Sequence, residues 1–434
     1  MTTYNQSPRR SPILWVPTLY FAEGLPYFVV ATIAGLMYKS RGISNDQIAW
    51  YTGLLGWVWV LKPLWSPFLE AFRSKKLIVL AFQMVGGLSL GLTALCLPLP
   101  GYFAWTIALL AVAAVCSATH DIAADGLYIS NLSAKEQAEY AGWQGGFYNV
   151  ARFFSLGGLV ILAGHLEKQM DVAHAWMIIF GLLGAILVLL SFYHSWSLPG
   201  GTTQGSGESM RSVFDTLADV ITTFFQKKNI LMMIAFIILF RAGEGQVTTI
   251  GPLFLKDGID KGGLGLTTED VGAVYGTVAS LAFIGGSILG GYFTSWLGLR
   301  KALFYLIVAM NLPNLAYVFL STALPTDKSV IATALSVEMF GYGFGFVGLI
   351  LFMMQEVAPG KYQTAHYSLA TGFMQLGYVL FKMVSGTIQE SIGYKSFFIW
   401  VLVSAVPALI LSRTIRFTGG GTTDTAAEPQ PAQA

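Results

Sequence analysis

Apolar runs long enough to cross a lipid bilayer recur through almost the whole chain, and this constrains the fold more than any other feature. A hydrocarbon core of about 30 Å needs roughly 20 apolar helical residues to span it. Twelve such segments can be read, at about 13–38, 46–69, 77–98, 103–128, 138–164, 174–196, 229–254, 268–293, 301–321, 329–353, 364–388 and 394–415. Of the 434 residues, 54% are hydrophobic and 11% charged. A soluble domain carries about 25% charged residues. The segments therefore predict an all-α membrane protein with twelve transmembrane helices.

Orientation follows from Lys and Arg, which accumulate on the cytoplasmic side of a membrane. With the N-terminus inside, fourteen of the 25 fall in cytoplasmic segments, seven in outer loops and four within spans. Both termini are thus expected in the cytoplasm. No cleavable signal peptide is expected, because the first apolar segment is too long and lacks a small-residue cleavage site. Net charge is +2, which gives no footprint for nucleic acid. Cys96 and Cys116 lie in apolar segments and read as free thiols.

A Gly/Ser/Thr-rich stretch after residue 196 divides the chain into six plus six spans. The organisation expected is a six-helix bundle over 1–196, a cytoplasmic linker over 197–228, a second bundle over 229–417 and a disordered tail over 418–434. Within the linker, Val213, Leu217, Val220, Ile221 and Phe224 recur at helical spacing, with Asp215 and Asp219 opposite. That pattern predicts a helix lying on the membrane interface and tethering the halves.

The halves resemble each other. Span 2 ends in Arg73-Ser74-Lys75-Lys76 and span 8 in Arg300-Lys301; Glu23-Gly24 matches Glu244-Gly245; Gly146-Phe147 matches Gly372-Phe373. The offsets are 225, 221 and 226 residues. A shared offset argues for a duplicated six-helix unit in parallel orientation, with the bundles related by a pseudo-twofold axis.

Ionisable residues inside a bilayer are costly and mark candidate sites. At 1.5 Å rise per residue, Glu23 lies about 15 Å deep, and Arg152 and Glu244 about 20 Å deep. Glu23 and Arg152 are expected to pair. Arg241 and Glu244 are three residues apart and share a helix face. These residues are candidates for lining a central polar site, with Glu23 as a protonatable group. In span 4, Asp121 and Asp125 share a face, and Lys62 of span 2 lies at similar depth. His120 adjoins them and titrates near neutrality when unperturbed. This group suggests an inner gate or proton relay. Glu338 and Lys382 are expected to pair across the second bundle. Gly286 and Gly290, and Gly341 and Gly345, form small-residue stripes suited to close helix packing.

A transporter fits the duplicated plan, the midplane charges and the short loops. The chain has no Walker loop, no Gly-x-Ser-x-Gly and no His-Glu-x-x-His, so neither direct ATP drive nor a membrane enzyme is expected. No cofactor or metal cluster is expected.

Four segments carry a family resemblance: Phe21-Ala22-Glu23-Gly24-Leu25-Pro26, Lys62-Pro63-Leu64-Trp65-Ser66-Pro67 followed by Glu70, the run Cys116 to Asp125, and Arg152 with Ser155, Gly157 and Gly158. They are similar to the AmpG-type muropeptide permeases, a branch of the major facilitator superfamily. The similarity is concentrated in the first half. The resemblance implies the major facilitator fold and proton-driven import across a bacterial inner membrane. The implied cargo is GlcNAc–anhydroMurNAc, with or without a stem peptide. It also implies that Lys62, Asp121, Asp125 and Arg152 belong to a conserved polar set. On this reading Arg152 and Arg241 bind the cargo carboxylate, and aromatic faces including Tyr148 hold the sugars. The expected partners are a small anionic solute, a proton and the bilayer, with the protein a monomer. Glu23 stands where the family usually has a small residue, and His120 where it has Gln. Those departures leave open another anionic cargo: a siderophore, an acyl-CoA-like molecule or another sugar conjugate.

Overall fold

The computed structural model describes residues 10–70, 74–200 and 210–415. The expected disordered tail, the Gly/Ser stretch at 201–209 and Arg73 lie outside them. Among the described residues, ten helical stretches are long and apolar enough to cross a membrane. The last of these, Gln363–Thr414, holds two spans. Gly393, at φ 74° and ψ 164°, breaks the helix, and Val401 returns to the level of Gly243 in span 7. Asn45–Glu70 is span 2 and brings the number to twelve. It falls outside the ten because it is less apolar, with Asp46, Lys62 and Glu70 along its length.

The two halves repeat one packing pattern. In the first half, span 3 (Lys75–Cys96) packs on span 4 (Tyr102–Asn131) and span 6 (Val172–Ser197), and span 1 (Val16–Ser40) on span 5 (Ala134–Glu167). In the second half, span 9 (Leu299–Ala323) packs on span 10 (Lys328–Val357), and span 7 (Ile230–Lys256) on span 11. Equivalent spans thus make equivalent contacts, as a duplicated unit requires.

The small-residue stripes behave as expected. A Cβ on Gly286 would sit 2.1 Å from the Phe340 carbonyl oxygen, and one on Gly290 2.3 Å from that of Phe344. Spans 8 (Thr268–Leu297) and 10 touch backbone to backbone at these glycines. The same device joins the halves along two seams. Span 2 meets span 11 where Gly53 and Gly56 receive Met383 and Val379. Span 5 meets span 8, where a Cβ on Gly276 would lie 1.8 Å from the Leu156 carbonyl oxygen. Both helices of this second seam are locally widened into π-helix, at Phe154–Leu159 and Gly272–Ala279. Two further π-helical segments occur at Val29–Ile33 and Met353–Val357.

The linker pattern folds as a helix, Met210–Phe225, separate from span 7 because Asn229 takes the left-handed conformation at φ 61°. Phe224 is fully buried and stacks on Phe373, with ring centroids 6.1 Å apart. Asp219 accepts hydrogen bonds from Tyr362 at 2.6 Å and Lys361 at 3.0 Å. The helix is therefore anchored on the second half. Tyr362, and then Lys361, hold the Asp219 carboxyl below its usual range. A depressed carboxyl contributes its attachment above the ordinary Asp value and loses it as pH falls through the lowered one. The mobility of a spin label on this helix should therefore be flat near neutrality and rise below about pH 4. Asp219→Asn should show the raised mobility at every pH.

Candidate functional site

Gly24 packs directly on Tyr148 and Ala151 of span 5, and this contact sets the directions of its neighbours. Adjacent helical residues point about 100° apart. Glu23 and Arg152 therefore turn away from the contact, and the expected Glu23–Arg152 pair does not form. Glu23 faces span 4 instead. Carboxylate oxygens of Glu23, Asp121 and Asp125 lie within 4.8 Å of one another. Lys62 donates to Asp121 in a close ion pair, with side-chain exposures of 24% and 19%. Tyr20 donates to Asp125 at 2.9 Å, and Gln144 approaches the same oxygen at 3.5 Å. Glu23 Oε2 is buried without a hydrogen-bond partner. His120 is buried, and neither ring nitrogen has a hydrogen-bond partner among the described residues. It does not enter the carboxylate network. Three carboxylates and an ammonium make a group suited to holding a proton; their oxygens also match the ligands of a hard cation.

The second group lies across the halves. Arg241 sits where span 7 breaks between Ile230–Phe240 and Ala242–Lys256, at φ −86° and ψ 1°. Its Nη2 donates to Glu244 Oε1 at 2.6 Å, and the two side chains are 5% and 3% exposed. Nε and Oε2 are also close, but outside hydrogen-bond geometry. Tyr342 donates its phenol to Glu244. The Arg241 guanidinium lies 4.8 Å from the Tyr378 ring and 5.1 Å from that of Phe346. Arg152 crosses from the first half to the second: its guanidinium lies over Phe283 at 4.3 Å and its Nη2 is 3.7 Å from Met339 Sδ. Its Nε is buried with no hydrogen-bond partner. Tyr148 packs on Phe28, with centroids 5.4 Å apart, and Tyr27 packs on Trp59 at 5.3 Å.

Glu338 and Lys382 do not pair. Lys382 donates to the main-chain oxygen of Ala31, at 3.0 Å, and Glu338 Oε2 is buried without a partner. Ala31 lies within the π-helical turn Val29–Ile33, and Lys382 reaches across to it from span 11.

At the end away from the termini, polar side chains tie the halves together. Lys39 pairs with Asp257 at 2.6 Å, and Asn45 donates to Gln389 and Tyr394 at 2.7 Å each. Glu167 accepts from Thr268, and Lys168 pairs with Glu269. Toward the terminal side, span 5 is loosely packed. Trp143 and Val150 of span 5 are exposed, and Gly142, Gly145 and Gly146 have nothing within 4 Å of a Cβ position. Among the described residues, the polar ties between the halves thus gather at the end away from the termini.

The sequence matches the family model of the Major Facilitator Superfamily over residues 18–381. The chain belongs to that superfamily. It is 26% identical over 427 residues to the anhydromuropeptide permease of Escherichia coli K12, covering 95% of this chain and 81% of the relative. It is 21% identical over 418 residues to a putative transporter, AmpG 4, of Rickettsia conorii, covering 91% and 94%. Among solved structures, a bacterial homologue of the lysosomal transporter Spinster, described as inward-facing and unoccupied, superposes with a TM-score of 0.73. That pair is 14% identical over 94% of this chain and 98% of the other, a likeness of fold alone. The superfamily agrees with the transporter class and the two-bundle architecture read from the sequence.

Several groups at the site escaped sequence reasoning. Tyr20, Tyr342, Tyr378 and Phe283 contact the charged residues, yet in an apolar span an aromatic side chain looks the same whether it packs or lines a site. The one available signal was helical phase: Tyr20 stands three residues from Glu23.

Proposed function

We propose that this protein is a proton-coupled importer of anionic cell-wall sugar fragments, GlcNAc–anhydroMurNAc with or without its stem peptide, across a bacterial inner membrane. The observation that carries the reading is the Glu23–Asp121–Asp125 cluster around Lys62, together with a cross-half arginine, Arg152, that forms no ion pair with a carboxylate among the described residues. The similarity to a relative named for anhydromuropeptides supports the cargo. The excess of Lys and Arg on the terminal side supports a cytoplasmic location for both termini. On this reading, the ties at the end away from the termini close the path to the outside.

Each group has a distinct task. Arg152 holds the cargo carboxylate, and Glu244 fixes Arg241 beside it. Tyr148 and Tyr27 offer aromatic faces to the sugar rings. Three close carboxylates facing a single ammonium do not all ionise together. The cluster therefore takes up a proton when it faces outward and releases it when it faces the cytoplasm. Lys62 balances the charge left behind. His120 adjoins the cluster in sequence, but no hydrogen bond links its ring to it among the described residues. The working unit is the monomer, because each half supplies part of one site.

Purified protein in liposomes should accumulate labelled GlcNAc–anhydroMurNAc under an imposed proton gradient, and a protonophore should abolish accumulation. Accumulation that follows sodium instead would overturn the proton assignment. Asp121→Asn should lose uptake while remaining folded. Glu23→Gln should lose gradient-driven accumulation but keep counterflow exchange, because exchange needs no net proton movement. Unchanged accumulation by Glu23→Gln would remove Glu23 from the coupling group.

A further inference from the structure

Lys382 is 2% exposed, and its ammonium has a single hydrogen-bond partner, the Ala31 carbonyl oxygen of the opposite half. No carboxylate among the described residues forms an ion pair with it. An ammonium has three donors, so two are unused. Burying such a charge against one neutral dipole costs several kcal/mol unless an anion joins it. Its position relates it to the central site. Its Nζ lies 6.0 Å from the centroid of the Tyr378 ring, and the same ring carries the Arg241 guanidinium at 4.8 Å. Arg241 pairs with Glu244; Lys382 and Arg152 come from opposite halves, and neither forms an ion pair among the described residues.

We infer that Lys382 is a second anion-binding subsite, so that the transporter takes cargo with two separated anionic groups, one on Arg152 and one on Lys382. The inference rests on the muropeptide reading and deepens it. The disaccharide alone carries only its lactyl carboxylate. That single charge goes to Arg152, the more accessible of the two cations. The peptide-bearing form carries several carboxylates and reaches both. Lys382 leaves the Ala31 carbonyl when the halves separate at this level, and the arriving carboxylate replaces that bond with a charge-assisted one.

The test compares two probes on purified protein: GlcNAc–anhydroMurNAc, and the same disaccharide bearing a stem tripeptide. In Lys382→Met, affinity for the peptide-bearing probe should fall about tenfold or more, the worth of one charge-assisted hydrogen bond. Affinity for the plain disaccharide should change by less than about twofold. Lys382→Arg should recover most of the peptide preference. Thermal melting checks that each variant is folded, and Lys382→Gln serves if the Met variant is not. Equal losses for both probes, or no loss for either, would overturn the subsite and leave the functional reading standing. Failure of the unmodified protein to bind either probe would overturn the functional reading, and this inference with it.

Discussion

Replacing Arg241 with Ala should abolish uptake and lower stability by about 3–5 kcal/mol, the cost of leaving one member of a buried ion pair without its partner. Arg241 and Glu244 are nearly inaccessible, so water does not rescue the stranded carboxylate. Tyr342 still donates to Glu244, but a single phenol does not balance a full charge. Glu244→Ala should be similarly damaging, because the guanidinium then has only the Tyr378 and Phe346 rings beside it. The informative variant is the double replacement by Met. Exchanging a whole buried pair for apolar residues of similar size is often neutral or stabilising. Arg241→Met with Glu244→Met should therefore melt near the unmodified protein and still fail to transport. Restored transport in that variant would show the pair to be structural only. Thermal unfolding in detergent and uptake into liposomes measure the two effects separately.

The second large effect is expected at the seam between spans 5 and 8. A methyl group at Gly276 would meet the Leu156 carbonyl oxygen at 1.8 Å, and the obstacle is backbone, which no rotamer change removes. Gly276→Ala therefore acts against the state that closes this seam. Overpacking of this kind costs about 1–3 kcal/mol, which shifts a two-state balance by roughly 5- to 150-fold. Spin labels at Gln169 and Lys261, on loops of opposite halves at the closed end, should read a longer distance in the variant. Uptake should fall because the closing half of the cycle is penalised. An unchanged distance distribution would exclude the seam as the point of closure. The glycines of the span 8–span 10 contact give the control. Gly286→Ala clashes within one half and should lower stability without changing that distance.

Twelve spans and two parallel halves were legible because bilayer thickness and the repeat offset act on the whole chain at once. That Lys62 meets the span 4 aspartates was legible too, since all three lie at one depth; that it takes Asp121 and not Asp125 came from the structure. Arg241 with Glu244 followed from helical spacing alone. Pairings that depended on rotation between distant helices were not legible. Glu23 and Arg152 have compatible depths and opposite charge, but Gly24 on Ala151 fixes the rotation and separates them. Lys382 and Glu338 were matched by charge, yet a main-chain carbonyl took the place of the acid. Sequence patterns give charge and depth; they do not give the phase of one helix against another.

The π-helical turns have a consequence for how such a chain can vary in length. Each holds one more residue per turn than its surroundings while the path through the bilayer stays nearly the same. At Val29–Ile33, Phe154–Leu159, Gly272–Ala279 and Met353–Val357, a residue can be gained or lost without drawing either end of the span out of its interface. The wider turn absorbs the change: it closes in one full turn with or without the extra residue, so everything beyond it keeps nearly the same facing. These four turns are therefore places, far from any loop, where the chain can change length by one residue while both parts of a helix keep their aim.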